Sequence, residues 1–359
     1  MAIYIYGSYM LSRQKTRKLL SRAKTLNCFL QRYILVSVSL RVVLMENGDS
    51  NEGYDPSLPV EKWCGDDRLY QWKGFWFRPQ YLLGTRQVLD KFKPLPSDVI
   101  LASFPKTGTT WLKSLLYSII NRSSGACLRS NHPHMLVPTL EVQLYGPQQQ
   151  SFSNFASTSS SSRILATHLP HQILADAVRP ADCRVVYVTR NPKDTLTSFW
   201  QFVLKSRSYE EPWPLEMAVE KFCNGVVPFG PYYDHVLGFW KESLERPEKV
   251  FFITYEELKD DTKTQVKRLA EFLGCPFNGD GEEEVLDEIV ISCSFEKLSS
   301  HEVNKSSEHS PWMRLPMSSF FRKGEVGDHR NYLNNEMVER IDAITVEKFH
   351  ESGLMYGVN

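Results

Sequence analysis

Four short apolar runs punctuate the middle of the chain, each closed by charged or turn-forming residues. They are "DVILASF" (98–104), "RILATH" (163–168), "RVVYVTR" (184–190) and "KVFFITY" (249–255). The runs are continuous rather than alternating, and rich in β-branched and aromatic residues. Strands covered on both faces of a parallel sheet read this way, because neither face meets water. Helical spacing fills the intervals. Residues 110–120 carry one helix, and "TKTQVKRLAEFLGCPF" carries another, with Val266, Leu269, Phe272 and Leu273 on one face and Gly274 as its stop. Upstream, "QWKGFWFRPQYLLGTRQVLDKF" reads as an aromatic turn region followed by a helix marked by Leu82, Leu83, Val88, Leu89 and Phe92. A last helix is expected over 335–350. Strands alternating with helices predict a single α/β domain, a central, mostly parallel sheet flanked by helices. The run "STSSSSR" (157–163) reads as a polar loop, since sheet elements continue after it, and there is no internal repeat.

In open α/β sheets ligands gather at the carboxyl ends of the strands. The four runs end at or just before Lys106, His168, Arg190 and Tyr255, so one edge of the sheet is expected to carry the chemistry. The first of these ends is "FPKTGTTWLKSL" (104–115). A strand, a turn at Gly108 and a helix from about Thr110 would aim backbone N–H groups and a positive dipole end at an anion. Lys106 adds a full charge, and Thr107, Thr109 and Thr110 add hydroxyls. The nucleotide-triphosphate motif G-x-x-x-x-G-K-[ST] is excluded, because Lys106 precedes the glycine. The bland alternative is an ordinary strand-to-helix turn with an exposed lysine.

A second anion site is legible in "VYVTRNPKDTLTSFW". Arg190 falls at a strand end, Pro192 suits a first helical position, and Ser198 lies two turns on. The competing reading pairs Arg190 with Asp194. In "FFRKGEVGD", Arg322, Lys323 and Gly324 could wrap an anion, or form a solvated basic loop. Two separated anion sites, with Trp111 and Tyr255 as stacking aromatics, match a nucleotide that carries phosphate at two positions.

Composition narrows the setting. The chain has 359 residues, 42% hydrophobic and 23% charged, with zero net charge. That balance hides a division: residues 1–45 carry eight of the 42 basic residues and none of the acidic ones. This extension reads as non-globular, either an organelle transit peptide or a stretch upstream of a start at Met45. Residues 46–62 form an acidic lead-in, and the globular pattern spans 63–359. An acidic body argues against nucleic acid as partner. No apolar run reaches the roughly 18 to 20 residues that span a membrane. Seven scattered cysteines without a C-x-x-C pair exclude an obvious zinc cluster and fit reduced thiols in the cytoplasm.

From about Asp66 to Gly357 the sequence resembles the plant-type cytosolic sulfotransferases. The resemblance rests on "FPKTGTTWLKSL", "ATHLP", "YVTRNPKDTLTSFW", "FFITYEELKDD", "SCSFEKLSSHEVNKS" and "FFRKGEVGD", in the family's order and spacing. It implies 3′-phosphoadenosine 5′-phosphosulfate as co-substrate, transfer of its sulfuryl group to the hydroxyl of a small molecule, and no metal. It assigns Lys106, Thr107, Gly108, Thr109, Thr110 and Trp111 to the 5′-phosphosulfate, with Trp111 stacking on adenine. Arg190, Ser198, Arg322, Lys323 and Gly324 take the 3′-phosphate, Tyr255 and Phe295 lie beside the adenine, and His168 is the catalytic base, with Lys106 neutralising the leaving charge. A lone His is otherwise most often a satisfied core residue.

The sequence departs from the family at several points. His329 stands where a Trp is usual, which leaves the packing behind the 3′-phosphate loop open. Ala166 replaces the animal lysine two residues before His168, as in plant relatives, and His132 replaces an Asn. Of the dimer motif, Thr345 and Val346 fit, but Ile341 and His350 occupy its charged positions, so a monomer or weak homodimer is expected. Phe75, Trp76, Tyr145, Trp200 and Tyr232 are candidates for a hydrophobic acceptor pocket. A nucleotide kinase and a non-enzymatic binder of the bisphosphate are the alternatives. The kinase lacks the lysine position and the carboxylates for a metal.

Overall fold

The computed structural model describes residues 56–122, 128–151, 162–206, 212–310, 312–313 and 315–354. The basic extension, most of the acidic lead-in and most of the serine-rich loop lie outside the described residues. The chain enters as a small antiparallel meander of β1 (Val60–Lys62), β2 (Arg68–Trp72) and β3 (Phe75–Phe77). This stretch reads as an aromatic turn region in sequence. The strands form because Tyr70 pairs with Phe77 and Trp72 with Phe75 across a turn at Lys73 and Gly74, both in the left-handed region. Helix α1 (Pro79–Lys91) follows, with proline at its start, where no N–H is needed.

The main sheet consists of β4 (Val99–Ser103), β5 (Ile164–Thr167), β6 (Arg184–Thr189) and β7 (Val250–Thr254), all parallel, in the order β5-β4-β6-β7. All four expected strands form within one residue of their predicted ends. Alternation explains why the runs are continuous. Leu101, Val186 and Val188 face a cluster with Leu112, Leu115 and Leu116 of α2 (Thr109–Ile120). Tyr187 turns the other way, its ring stacked 4.2 Å from Phe239 of α4 (Tyr232–Glu245). Both faces are therefore covered by helices, as the fold class requires.

Helix α3 (Pro192–Ser206) begins at the expected proline. Helix α5 (Thr262–Phe272) is capped by Asp261, and Gly274, the stop expected from sequence, follows it in the left-handed conformation. The terminal helix α6 (Asn335–Phe349) closes against α3, where Lys193, with no exposed surface, pairs with Asp342. Among the described residues no helix is long and apolar enough to cross a membrane.

Candidate active site

Because the four strands are parallel and in register, their carboxyl ends lie along one edge, and Lys106, His168, Arg190 and Tyr255 follow them there. His168 comes directly after β5. Its Nδ1 lies 2.8 Å from the carbonyl oxygen of Ser103, on the adjoining strand. A carbonyl can only accept, so Nδ1 carries the proton and Nε2 keeps its lone pair. The backbone on either side is fixed as well. The His168 N–H donates to Glu141 Oε1 at 2.8 Å, and the His168 carbonyl accepts from His235 Nε2 at 3.0 Å. Tyr187 donates to the other nitrogen of His235, at 2.9 Å.

Burial lowers the His168 pKa to about 4 against the pull of the Ser103 carbonyl, and Lys113 and Lys106 push it further down. The imidazole is thus neutral across the physiological range. Phe229 packs 5.5 Å from its ring, in a left-handed backbone conformation that a bulky residue adopts only under constraint. That constraint is the meander: Phe229 N–H donates to the Trp76 carbonyl, and Trp76 N–H to the Gly230 carbonyl.

The loop after β4 places Lys106 at φ 74° and Gly108 at φ 119°. A Cβ on Gly108 would meet the Tyr255 ring at 3.0 Å, so the turn needs glycine for space as well as for conformation. The N-terminus of α2 has no side-chain cap, leaving the N–H groups of its first turn available. Lys106 Nζ sits 3.9 Å over the ring of Phe202. Burial lowers the Lys106 pKa to about 7, and the charges of Arg322, Arg190 and Lys205 lower it in the same direction.

The three threonines differ in what they are free to do. Thr107 is fully buried, and its hydroxyl lies 2.8 Å from the Phe104 carbonyl and 3.0 Å from that of Val188. It holds the loop against β6, so its hydroxyl serves the fold. The Thr109 hydroxyl pairs with Ser103 Oγ at 2.7 Å, and Thr110, partly exposed, contacts His134.

Arg190 is buried, with its guanidinium 4.5 Å over the Tyr255 ring. Tyr255 in turn meets Trp111 edge-on at 5.5 Å. Arg190 pairs with Asp194 at 3.3 Å and donates to the Glu325 carbonyl, which ties α3 to the loop around Gly324. In that loop Arg322 and Lys323 both pair with Asp328, whose carboxyl stays at about 2: burial would raise it, and Lys323 and Arg322 hold it down. Gly324, at φ 70°, lies against Phe295; an added Cβ would come within 2.5 Å of that ring. Ser198, also buried, lies two turns into α3. The structure thus joins the Gly108 turn, Trp111, Tyr255 and Arg190, joins Arg190 to the Arg322–Gly324 loop, and brings Phe295 onto that loop.

Nε of Arg190, Nε of Arg322 and Nε1 of Trp111 are buried donors with no hydrogen-bond partner among the described residues. Buried donors cost free energy unless something accepts from them. Three of them around a glycine-lined cradle fit an anionic nucleotide.

The usual Trp at position 329 is not needed for this loop to close. Asp194, with no exposed surface on its carboxylate, accepts from the backbone of Gly327 (2.7 Å) and of His329 (2.9 Å) and from His329 Nδ1 (2.8 Å). Burial alone would raise its pKa, but the His329 ring and Arg190 hold it well below the usual carboxylate range. Asp194 is a hub that sequence reasoning considered only as a partner of Arg190.

Lys113, His134 and Glu141 were also missed as contributors. Their signal was present: Lys113 and Glu141 are single charges inside apolar runs, and both are fully buried. Of the pocket candidates, Tyr232 does not line an acceptor cavity. Its hydroxyl donates to the Arg190 carbonyl at 2.5 Å and its ring is fully buried, packed edge-on against Phe104. Trp200 is drawn away to Trp213 and Tyr332.

The fold and this edge suit a group-transfer enzyme of the α/β class that works from an anionic donor. Residues 96–353 match the sulfotransferase domain, and the chain belongs to that family. It is 42% identical over 309 residues to cytosolic sulfotransferase 6 of Arabidopsis thaliana, covering 84% of this chain and 93% of the relative. It is 40% identical over 296 residues to a flavonol 3-sulfotransferase of Flaveria bidentis, covering 80% and 93%. A crystal structure of an Arabidopsis thaliana sulphotransferase, 38% identical, superposes with a TM-score of 0.65 over 84% of this chain and 93% of that one. A mouse sulfotransferase complexed with PAP, 27% identical, superposes with a TM-score of 0.61 over 79% and 95%. Sulfuryl transfer to a hydroxyl acceptor is the family's reaction and the reaction of this chain.

Proposed function

We propose that the chain uses 3′-phosphoadenosine 5′-phosphosulfate and transfers its sulfuryl group in line to a small hydrophobic or aromatic alcohol or phenol, with His168 as general base. The observation that carries this reading is the His168 tautomer: Nδ1 spent on the Ser103 carbonyl, Nε2 left as a lone pair, and an aromatic wall at Phe229. The donor supplies an activated sulfate, whose transfer has a loose transition state like that of phosphoryl transfer. Charge placement therefore matters most. The first turn of α2 and Thr110 hold the 5′ end, with Gly108 giving the backbone room to approach. Arg190, Ser198 and the loop Arg322–Gly324 hold the 3′-phosphate, with Tyr255, Trp111 and Phe295 around the base. Lys106 neutralises charge that grows on the leaving oxygen, and His168 takes the acceptor's proton.

The relatives' names support a cytoplasmic enzyme and a flat acceptor such as a flavonol. The catalytic unit in this reading is residues 63–359, as a monomer or weak homodimer. The test is transfer of radiolabelled sulfate from the donor to a panel of phenols and alcohols without added magnesium. His168→Ala should lower turnover by about two orders of magnitude or more while donor binding stays intact. A variant that keeps its activity refutes the base assignment.

A further inference from the structure

Lys113 is a lysine with no exposed surface, facing inward from the first turns of α2. Among the described residues no carboxylate lies within ion-pair distance of it. Its three N–H bonds have three acceptors instead: the Val137 carbonyl at 2.8 Å, Thr139 Oγ1 at 3.0 Å and His134 Nδ1 at 3.0 Å. An ammonium group has no lone pair to offer, so with Lys113 protonated His134 Nδ1 is the acceptor and the ring proton sits on Nε2. Nε2 lies 3.1 Å from Thr110 Oγ1. The ring N–H therefore donates to the hydroxyl, and the hydroxyl's own proton is left for a partner elsewhere. Thr110 is the second residue of α2, partly exposed, in the uncapped turn that would face an anion.

We propose that Lys113 and His134 are positioning residues for the donor: they fix one ring tautomer, so that Thr110 is held with its proton directed at the 5′-phosphosulfate. The proposal rests on the donor reading given above. Thr107 is not set up this way, since its hydroxyl is spent on carbonyls, and the Thr109 hydroxyl is shared with Ser103 Oγ, a pair in which either oxygen can donate. The His134 ring packs against Phe320, with ring centres 4.3 Å apart, and lies 5.3 Å from that of His132. Burial and the neighbouring Lys113 charge hold His134 well below its ordinary pKa, so the ring is neutral, as the relay needs.

Asparagine and glutamine separate the two ring nitrogens. An Asn amide reaches the place of Nδ1 and can meet Lys113 only, whereas a Gln amide reaches the place of Nε2 and can donate to Thr110. Binding of adenosine 5′-phosphosulfate and of adenosine 3′,5′-bisphosphate is measured by calorimetry on the full chain at pH 6.5, below the Lys113 pKa, which burial lowers to about 7, so that most of the lysine is charged. His134→Asn and Thr110→Val should each weaken the phosphosulfate about tenfold, the size of one charge-assisted hydrogen bond. His134→Gln should stay within about threefold of the wild type. The double variant Thr110→Val/His134→Asn should bind no worse than Thr110→Val, because His134 acts through that hydroxyl. Additive losses in the double variant, equal losses for Asn and Gln, or losses that track each variant's melting temperature overturn the relay. A wild type that binds neither nucleotide refutes the donor reading, and the relay falls with it. A wild type that binds both, with His134→Asn unaffected, refutes the relay alone.

Discussion

Lys106 gives the sharpest quantitative consequence of the site. Its ammonium lies among Arg190, Arg322 and Lys205, and burial with those three charges brings its pKa to about 7. A lysine with a lowered pKa is charged below that value and neutral above it. A bound phosphosulfate or phosphate restores the proton, so binding above pH 7 includes the cost of protonating Lys106. With a free-protein pKa of about 7, the penalty factor is about 2 at pH 7 and about 100 at pH 9. Affinity for adenosine 3′,5′-bisphosphate should therefore fall about 50-fold between these pH values. The ligand adds little, because the second ionisation of its phosphates, with a pKa of about 6, is about nine-tenths complete by pH 7. Calorimetry at pH 7, 8 and 9 reads the slope directly. Lys106→Arg is the control, since a guanidinium keeps its charge throughout. That variant should lose the part of the pH dependence that belongs to Lys106, and the slope that remains belongs to other groups, first Lys113, whose pKa burial also lowers to about 7. A wild type and a Lys106→Arg protein with the same slope would show that Lys106 is not the group that titrates against the donor.

Arg190→Ala should weaken adenosine 3′,5′-bisphosphate by about tenfold to a hundredfold and leave adenosine 5′-phosphosulfate nearly unchanged, the signature of a 3′-phosphate contact. Equal losses for both nucleotides would assign Arg190 to the fold. His329→Ala removes one of the donors to the buried Asp194 carboxylate and should cost about 2 kcal/mol in urea unfolding, with His329→Asn recovering most of it through an amide in the place of Nδ1; an alanine variant as stable as the wild type would show that this bond does not hold the loop. Removing residues 1–44 should leave solubility and activity unchanged, and an aggregating truncation would show that the segment packs on the domain.

Local rules carried the sequence a long way. The four strands were legible because a strand covered on both faces must be apolar throughout, and each of these runs is short enough to be nothing else. The α3 start at Pro192 and the α5 stop at Gly274 followed from what proline and glycine do to the backbone. The residues of the sheet edge followed from parallel order, although their individual roles came only with the resemblance. The meander was misread, because β1 to β3 are short and owe their pairing to cross-strand aromatics rather than to any period of their own. What the sequence could not contain is the other half of each long-range hydrogen bond. Which nitrogen of His168 is free depends on the carbonyl of Ser103, 65 residues away. Which threonine keeps its proton for a ligand depends on Val188, Ser103 and His134, each brought in from a different element. A histidine at position 329 reads as a departure in the sequence. In the folded chain it is a donor to Asp194, 135 residues away, because only the packing of the last loop on α3 brings the two together. Tyr232 failed as a pocket residue for the same reason: an aromatic side chain is equally at home in a cavity wall and in a core, and only tertiary contacts choose between them.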